Sequence, residues 1–259
     1  MIFLSLVHNI ALLVALTFVH SLLIRHLRRD GVGYPLLSGL LFGCVCVIVM
    51  MTPVILLPGL IFDGRSIILS VAGLCCGPLT ALVAAVIAAA YRLWLGGIGA
   101  LPGVGVIIAS ASLGVALHYL RRRRQWAMRT PVLYIFGLLV HLLMLAILLL
   151  SLPGATAQEM VSRIALPVLL LYPPATLLVC LLFQMMEQHI QGVETLRQSE
   201  ERMRLFFERQ LVGMAITSPE KGWVQVNDKL CQMLGRSREE LALLSWADLT
   251  HPDDLDQGL

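Results

Sequence analysis

Asp63, Arg65, Tyr91 and Arg92 are the side chains of this chain whose types and placing could do chemistry. They flank the apolar run within residues 58–103, PGLIFDGRSIILSVAGLCCGPLTALVAAVIAAAYRLWLGGIGALPG. A charge beside hydrocarbon is expensive. Such groups therefore either anchor the run at the membrane surface or line a ligand cavity or a gating joint. Asp63 and Arg65 sit two residues apart in a turn that holds Pro58 and Gly59, where they could pair with each other or contact a ligand. Tyr91 and Arg92 close the run, just before Gly96 and Gly97. A straight helix of 25 residues over 66–90 would hold the two groups ~38 Å apart, as two sites on opposite faces of the membrane.

No other constellation competes with these four. His8, His20, His118 and His141 are scattered without paired i, i+4 spacing, so no metal site is expected. The chain has no GxGxxG, P-loop, GxSxG or HExxH arrangement, hence no catalytic domain and no cofactor to assign. Five of the six cysteines lie inside apolar runs and read as small packing residues.

The elements that must position the charged groups are membrane helices. The apolar share is 58% and the charged share 14%, against roughly 45–50% and 25% in soluble proteins. Six runs approach the ~20 residues that cross a bilayer: 2–24, 34–57, 66–90, 98–120, 131–152 and 164–186. Small residues recur at four-residue spacing as Gly39/Gly43, Gly73/Gly77, Gly99/Gly103, Ala81/Ala85/Ala89 and Ser110/Gly114, which lets helices approach closely. Six spans put both termini on the side of Arg121–Arg124, taken as cytoplasmic. They leave Arg25, Arg28 and Arg29 on the disfavoured side, a conflict that an odd number of spans would remove.

Charge divides the chain. Residues 1–186 hold eleven arginines against three carboxylates, net +8, and residues 187–259 are net −5. The arginines cap apolar runs and form no exposed stripe, so nucleic acid is not an expected partner; the lipid bilayer is. Three domains follow: a multi-span membrane domain over 1–186, a helical linker over 187–205, and a soluble remainder over 206–259. Weak heptad spacing through Val193, Leu196, Met203 and Phe207 suits a coiled coil, hence a homodimer. In the remainder, 211–217 and 222–227 read as strands around a turn. A short helix capped at Asn227 or Asp228 and stopped by Gly235 follows, then another capped by Ser237. The fold class expected is an all-α polytopic membrane bundle of about six spans, with a helical linker and a partial α/β domain.

The stretch from Pro58 to Gly97 resembles the core of the LytS/YhcK-type receptor domain, the family named for five transmembrane segments. Pro58, Gly59, Asp63, Arg65, Tyr91, Arg92, Gly96 and Gly97 carry the match, which extends over about residues 30–186. Gly73 and Gly77 are the glycines of the helix between. The resemblance implies a sensor in the bacterial inner membrane, with its C-terminus cytoplasmic and a small-molecule or membrane stimulus. It implies an output elsewhere in the parent protein, foremost a phosphorelay histidine kinase, with a diguanylate cyclase as the alternative. A small-solute transporter or its substrate-binding subunit is the reading from another class. SEERMRLFFERQLVGMAIT, VNDKLCQMLGRSREEL and LTHPDDL resemble the first half of a PAS domain, which implies a fragment of a longer protein and carries over no PAS cofactor.

Overall fold

A computed structural model describes residues 2–26, 31–52, 54–57, 60–124, 129–151, 154–209, 211–218, 222–245, 247–249 and 251. It divides into two compact units, Met1–His189 and Ile190–Leu259. In the first unit α1 is Ile2–His26, α2 Gly33–Met51, α4 Pro78–Leu95, α5 Ala100–Arg124 and α6 Thr130–Ser151. Before α4, a short antiparallel hairpin of β1 (Val54–Leu57) and β2 (Leu60–Phe62) leads into α3, Arg65–Val71. α7 follows, from Gly154 to Glu208, and its last turns belong to the second unit. Among the described residues, five helices (α2, α4, α5, α6 and α7) are long and apolar enough to cross a membrane. The chain is a polytopic helix bundle.

The polarity of the first unit is that of a protein in lipid. Leu82, Val86, Ile108, Ile135, Leu166 and Leu170 are exposed, while Ser38, Thr80, Ser110, His141 and Thr176 are buried. With no water in hydrocarbon, polar side chains turn into the bundle, several of them onto backbone carbonyls, and apolar ones face out.

Two of the expected spans are corrected. The run over 34–57 ends as a helix at Met51, and residues 54–57 form the first strand of the hairpin. The run over 66–90 is two legs, not one helix. After α3, residues Ala72–Cys76 form a π-helical turn that stops at Gly77, whose φ of 89° is open to glycine alone at low cost. Pro78 then starts α4, where its missing N–H costs nothing. At 12 residues the first leg measures only ~18 Å, too short to be found as a span by length.

Close backbone contact holds this leg in place. A Cβ on Gly73 would lie 2.8 Å from the Ala111 carbonyl oxygen, and one on Gly114 would strike the Ser70 carbonyl. On the neighbouring pair, Gly39 and Gly43 of α2 receive Val83 and Ile87 of α4. That register, with the Thr80 hydroxyl donating to the Pro35 carbonyl at 3.1 Å, makes α2 and α4 parallel. The α3 leg, which joins the hairpin to α4 in sequence, runs back in the opposite direction. Counting α1 and this leg, the chain runs along the bundle seven times, an odd number. The end of α1, the start of α2, Gly77, Arg121–Arg123 and Phe183 of α7 therefore share one end, the arginine end. The hairpin, Gly96 and the start of α5 share the other.

The second unit contains the last turns of α7, then β3 (Ala215–Ser218) paired antiparallel to β4 (Gly222–Val226). α8 (Asp228–Leu234) and α9 (Arg238–Ala242) follow. Asn227, fully buried, caps α8 by accepting from the Leu230 N–H and also accepts from the Met214 N–H, both at 2.9 Å. Its amide donates to the carbonyls of Phe207 and Val212. Gly235 ends α8 in the left-handed region, and Ser237 with Glu240 forms a capping box on α9. The first strand begins at Ala215, four residues later than the pattern suggests.

Candidate functional site

The broken helix changes where the charged residues meet. Because the α3 leg and α4 run in opposite directions, both return to the hairpin end of the bundle, and Arg92 comes within electrostatic reach of Asp63 and Arg65. The separation of ~38 Å expected from a straight helix does not occur. Asp63, Arg65 and Arg92 form one buried cluster, with 4%, 8% and 1% of their surfaces exposed.

Local chemistry places each group. Asp63 stands before the first turn of α3, and its Oδ1 accepts from the Arg65 backbone N–H at 3.0 Å. A carboxylate there both closes the turn and faces the positive end of the helix. The Arg65 guanidinium lies 3.5 Å from the same oxygen and donates to the Met50 sulfur of α2 at 3.3 Å. Arg92 reaches inward from the last turn of α4, its stem crossing Gly103 of α5. A Cβ on Gly103 would come within 2.7 Å of the Arg92 Nε. Among the described residues, Arg92 Nε and Asp63 Oδ2 are buried with no hydrogen-bond partner. One carboxylate thus has two guanidiniums within electrostatic reach, Arg65 in ion-pair contact and Arg92 with a donor left free among the described residues.

Ser66, the next residue of α3, extends the cluster. His141 of α6 holds its Nδ1 2.6 Å from the Gly137 carbonyl, which can only accept, so Nδ1 carries the proton. Its Nε2 therefore accepts from the Ser66 hydroxyl at 3.2 Å. The His141 ring stands edge-on to Tyr172 of α7, with centroids 5.2 Å apart. Tyr172 in turn lies within electrostatic range of Asp63 and Arg65. Next to Tyr172, the Pro173 backbone sits 3.1 Å from where a Gly137 Cβ would be.

A second buried junction lies at the arginine end. His20 of α1 has its Nε2 3.2 Å from the Tyr34 hydroxyl and 3.4 Å from the Cys76 sulfur. The same ring packs on Phe42 of α2 and Phe183 of α7, at 5.5 and 5.1 Å.

Tyr91 is not drawn into the cluster; its half-buried ring pairs with Trp94 at 5.6 Å. Gly96 and Gly97, both at positive φ, turn the chain from α4 to α5. Pro58 and Gly59 lie outside the described residues. Met50, Ser66, Gly103, His141 and Tyr172 were not singled out as site residues by spacing. They converge only through tertiary packing, and only the Gly99/Gly103 pair left a trace in the sequence.

Comparison with known proteins gives this geometry its context. No solved structure matches the chain. It is 38% identical over 96 residues to a probable diguanylate cyclase, DgcE, of Escherichia coli (strain K12), an alignment covering 36% of this chain and 8% of that protein. The chain thus spans a small part of the curated relative it matches. A family model described as the 5TMR of 5TMR-LYT matches residues 6–186, which includes every member of the cluster. The chain belongs to the 5TMR-LYT family of multi-span membrane receptors.

Proposed function

We propose that the bundle is a receptor for a small anionic solute, bound between Arg65 and Arg92. The single observation that carries this reading is the buried imbalance of two guanidiniums against one carboxylate, with Arg92 Nε lacking a partner among the described residues. A buried charge without a counter-ion is costly, and an incoming anion would supply one together with an acceptor for the free donor. By the positive-inside rule the end that holds Arg121–Arg123 is cytoplasmic, so the cluster lies toward the outer half of a bacterial inner membrane.

Ser66, His141 and Tyr172 form the route from that site to α7. An anion binds one arrangement of the cluster better than another, and α7 carries the difference into the cytoplasm. Val193, Leu196 and Met203 leave apolar surface exposed along the outgoing helix, which supports a homodimer through 187–205. The capped helices and hairpin of 206–259 support the start of a PAS-type domain as the first cytoplasmic module. Of the outputs expected, the similarity to a probable diguanylate cyclase favours cyclic dinucleotide synthesis over phosphorelay. A 55-residue helix leading into a second unit suits a receptor better than a transporter.

The test is thermal melting of the full chain in detergent against pyruvate, lactate, succinate, phosphate and sulfate. At 100 times its Kd an anion stabilises by about 2.7 kcal/mol. A saturable rise in Tm is expected with at least one of them and is expected to vanish in Arg92→Gln. A rise that survives Arg92→Gln, or none with any anion, would refute the site.

A further inference from the structure

A groove of about 530 Å³ runs along the outside of the bundle between α4 and α5. Pro78, Ala81 and Ala85 form one wall, and Ile108, Ser112 and Ala116 lie along the other. Small side chains on both helices open it, and it lies apart from the Asp63–Arg65–Arg92 cluster at the other end of these helices. Along α5 it extends from Ile108 to Ala116, ~12 Å, close to the depth of one leaflet of a ~30 Å hydrocarbon core.

The helical repeat continues the groove's face beyond Ala116. Tyr119, Arg122 and Arg123 fall on the same side of α5 as Ile108, Ser112 and Val115, and all three are exposed. Arg121 falls on the opposite side, half-buried and within electrostatic reach of Cys75 in the bundle. Neither α4 nor α5 contains an aspartate or glutamate, and among the described residues no ion pair holds Arg122 or Arg123. The surface is thus an apolar channel, an aromatic residue, then two unneutralised guanidiniums, in the order in which a phospholipid presents acyl chain, interface and phosphate.

We propose that this face seats one anionic phospholipid, its acyl chain in the α4–α5 groove and its phosphate on Arg122 and Arg123. Charge complementarity selects the headgroup, since a zwitterionic lipid offers the arginines no net attraction. Bound there, the lipid packs on the wall formed by Pro78 and Ala81, next to the Gly77 break, and tethers the arginine end of α4 to α5.

Native mass spectrometry of the full chain, released from micelles holding equal phosphatidylglycerol and phosphatidylcholine, tests this. One phosphatidylglycerol per chain is expected, retained about tenfold over phosphatidylcholine. Arg122→Gln with Arg123→Gln is expected to erase the preference, and the matching lysine pair to restore it. Ser112→Leu, which fills the groove from an exposed position, is expected to remove the adduct without changing the melting temperature. Equal retention of both lipids would overturn the proposal. So would a preference that survives the glutamine pair, or an adduct that survives Ser112→Leu. A change of oligomeric state in Ser112→Leu with lipid retention intact would assign the groove to a second copy of the chain and equally overturn it.

Discussion

Asp63 shares its surroundings with two guanidiniums, so the two kinds of charge removal are not equivalent. Asp63→Leu leaves Arg65 and Arg92 buried with no counter-charge. Breaking a buried pair in this way costs about 3–5 kcal/mol, and the melting temperature of the full chain is expected to fall accordingly. Arg92→Met removes the unpaired donor and leaves the Asp63–Arg65 pair intact. Its stability is expected to stay within about 1 kcal/mol of the native chain while anion binding is lost. If both variants destabilise equally, Arg92 is a structural partner of Asp63 and not a binding group. Gly103→Ala forces the Arg92 stem aside and is expected to cost about 1–3 kcal/mol, with weakened anion binding. The charged residues themselves were legible in the sequence, since ionisable groups flanking a membrane run are rare. Their partners were not. Ser66, His141 and Tyr172 carry no mutual spacing, because three different helices supply them.

The decisive element is the joint at Gly77–Pro78. A long apolar run reads as one helix, because composition reports the solvent and not the direction of the chain. The Gly-Pro pair was nonetheless the breaker written in it. The short leg survives only because Gly73 and Gly114 let it lie backbone to backbone on α5. Gly114→Leu is therefore expected to destabilise the bundle and release the leg, seen as faster proteolysis between residues 65 and 77. α7 holds the other joint. Pro173 and Pro174 lack the N–H that would donate to the preceding turn, which permits a bend beside Tyr172. With Pro173→Ala in a full-length receptor, anion affinity is expected to stay within about twofold while output at saturation shifts by about tenfold, a coupling of ~1.4 kcal/mol. Unchanged output would remove the proline joint from the route.

At the scale of the molecule, the odd number of passes follows from that same joint and brings the end of α1 and Arg121–Arg123 to one end. Alkaline phosphatase fused at residue 98 is expected to be active and at residue 127 inactive; the reverse would invert the topology. The bundle class, most helix ends and both caps of the second unit could be read from periodicity and capping residues, which act locally. The span count could not, because it depended on how one segment packs on α5.

The central claim is that the two ends of the 58–103 stretch meet at one end of the bundle. Spin labels at Met51→Cys and Trp94→Cys, both exposed sites, placed on a background without the six native cysteines, measure it directly. The expected separation is well below the ~38 Å that a straight helix over 66–90 would impose between the two ends. A distance at or above that value would contradict the single buried cluster and the anion site built on it.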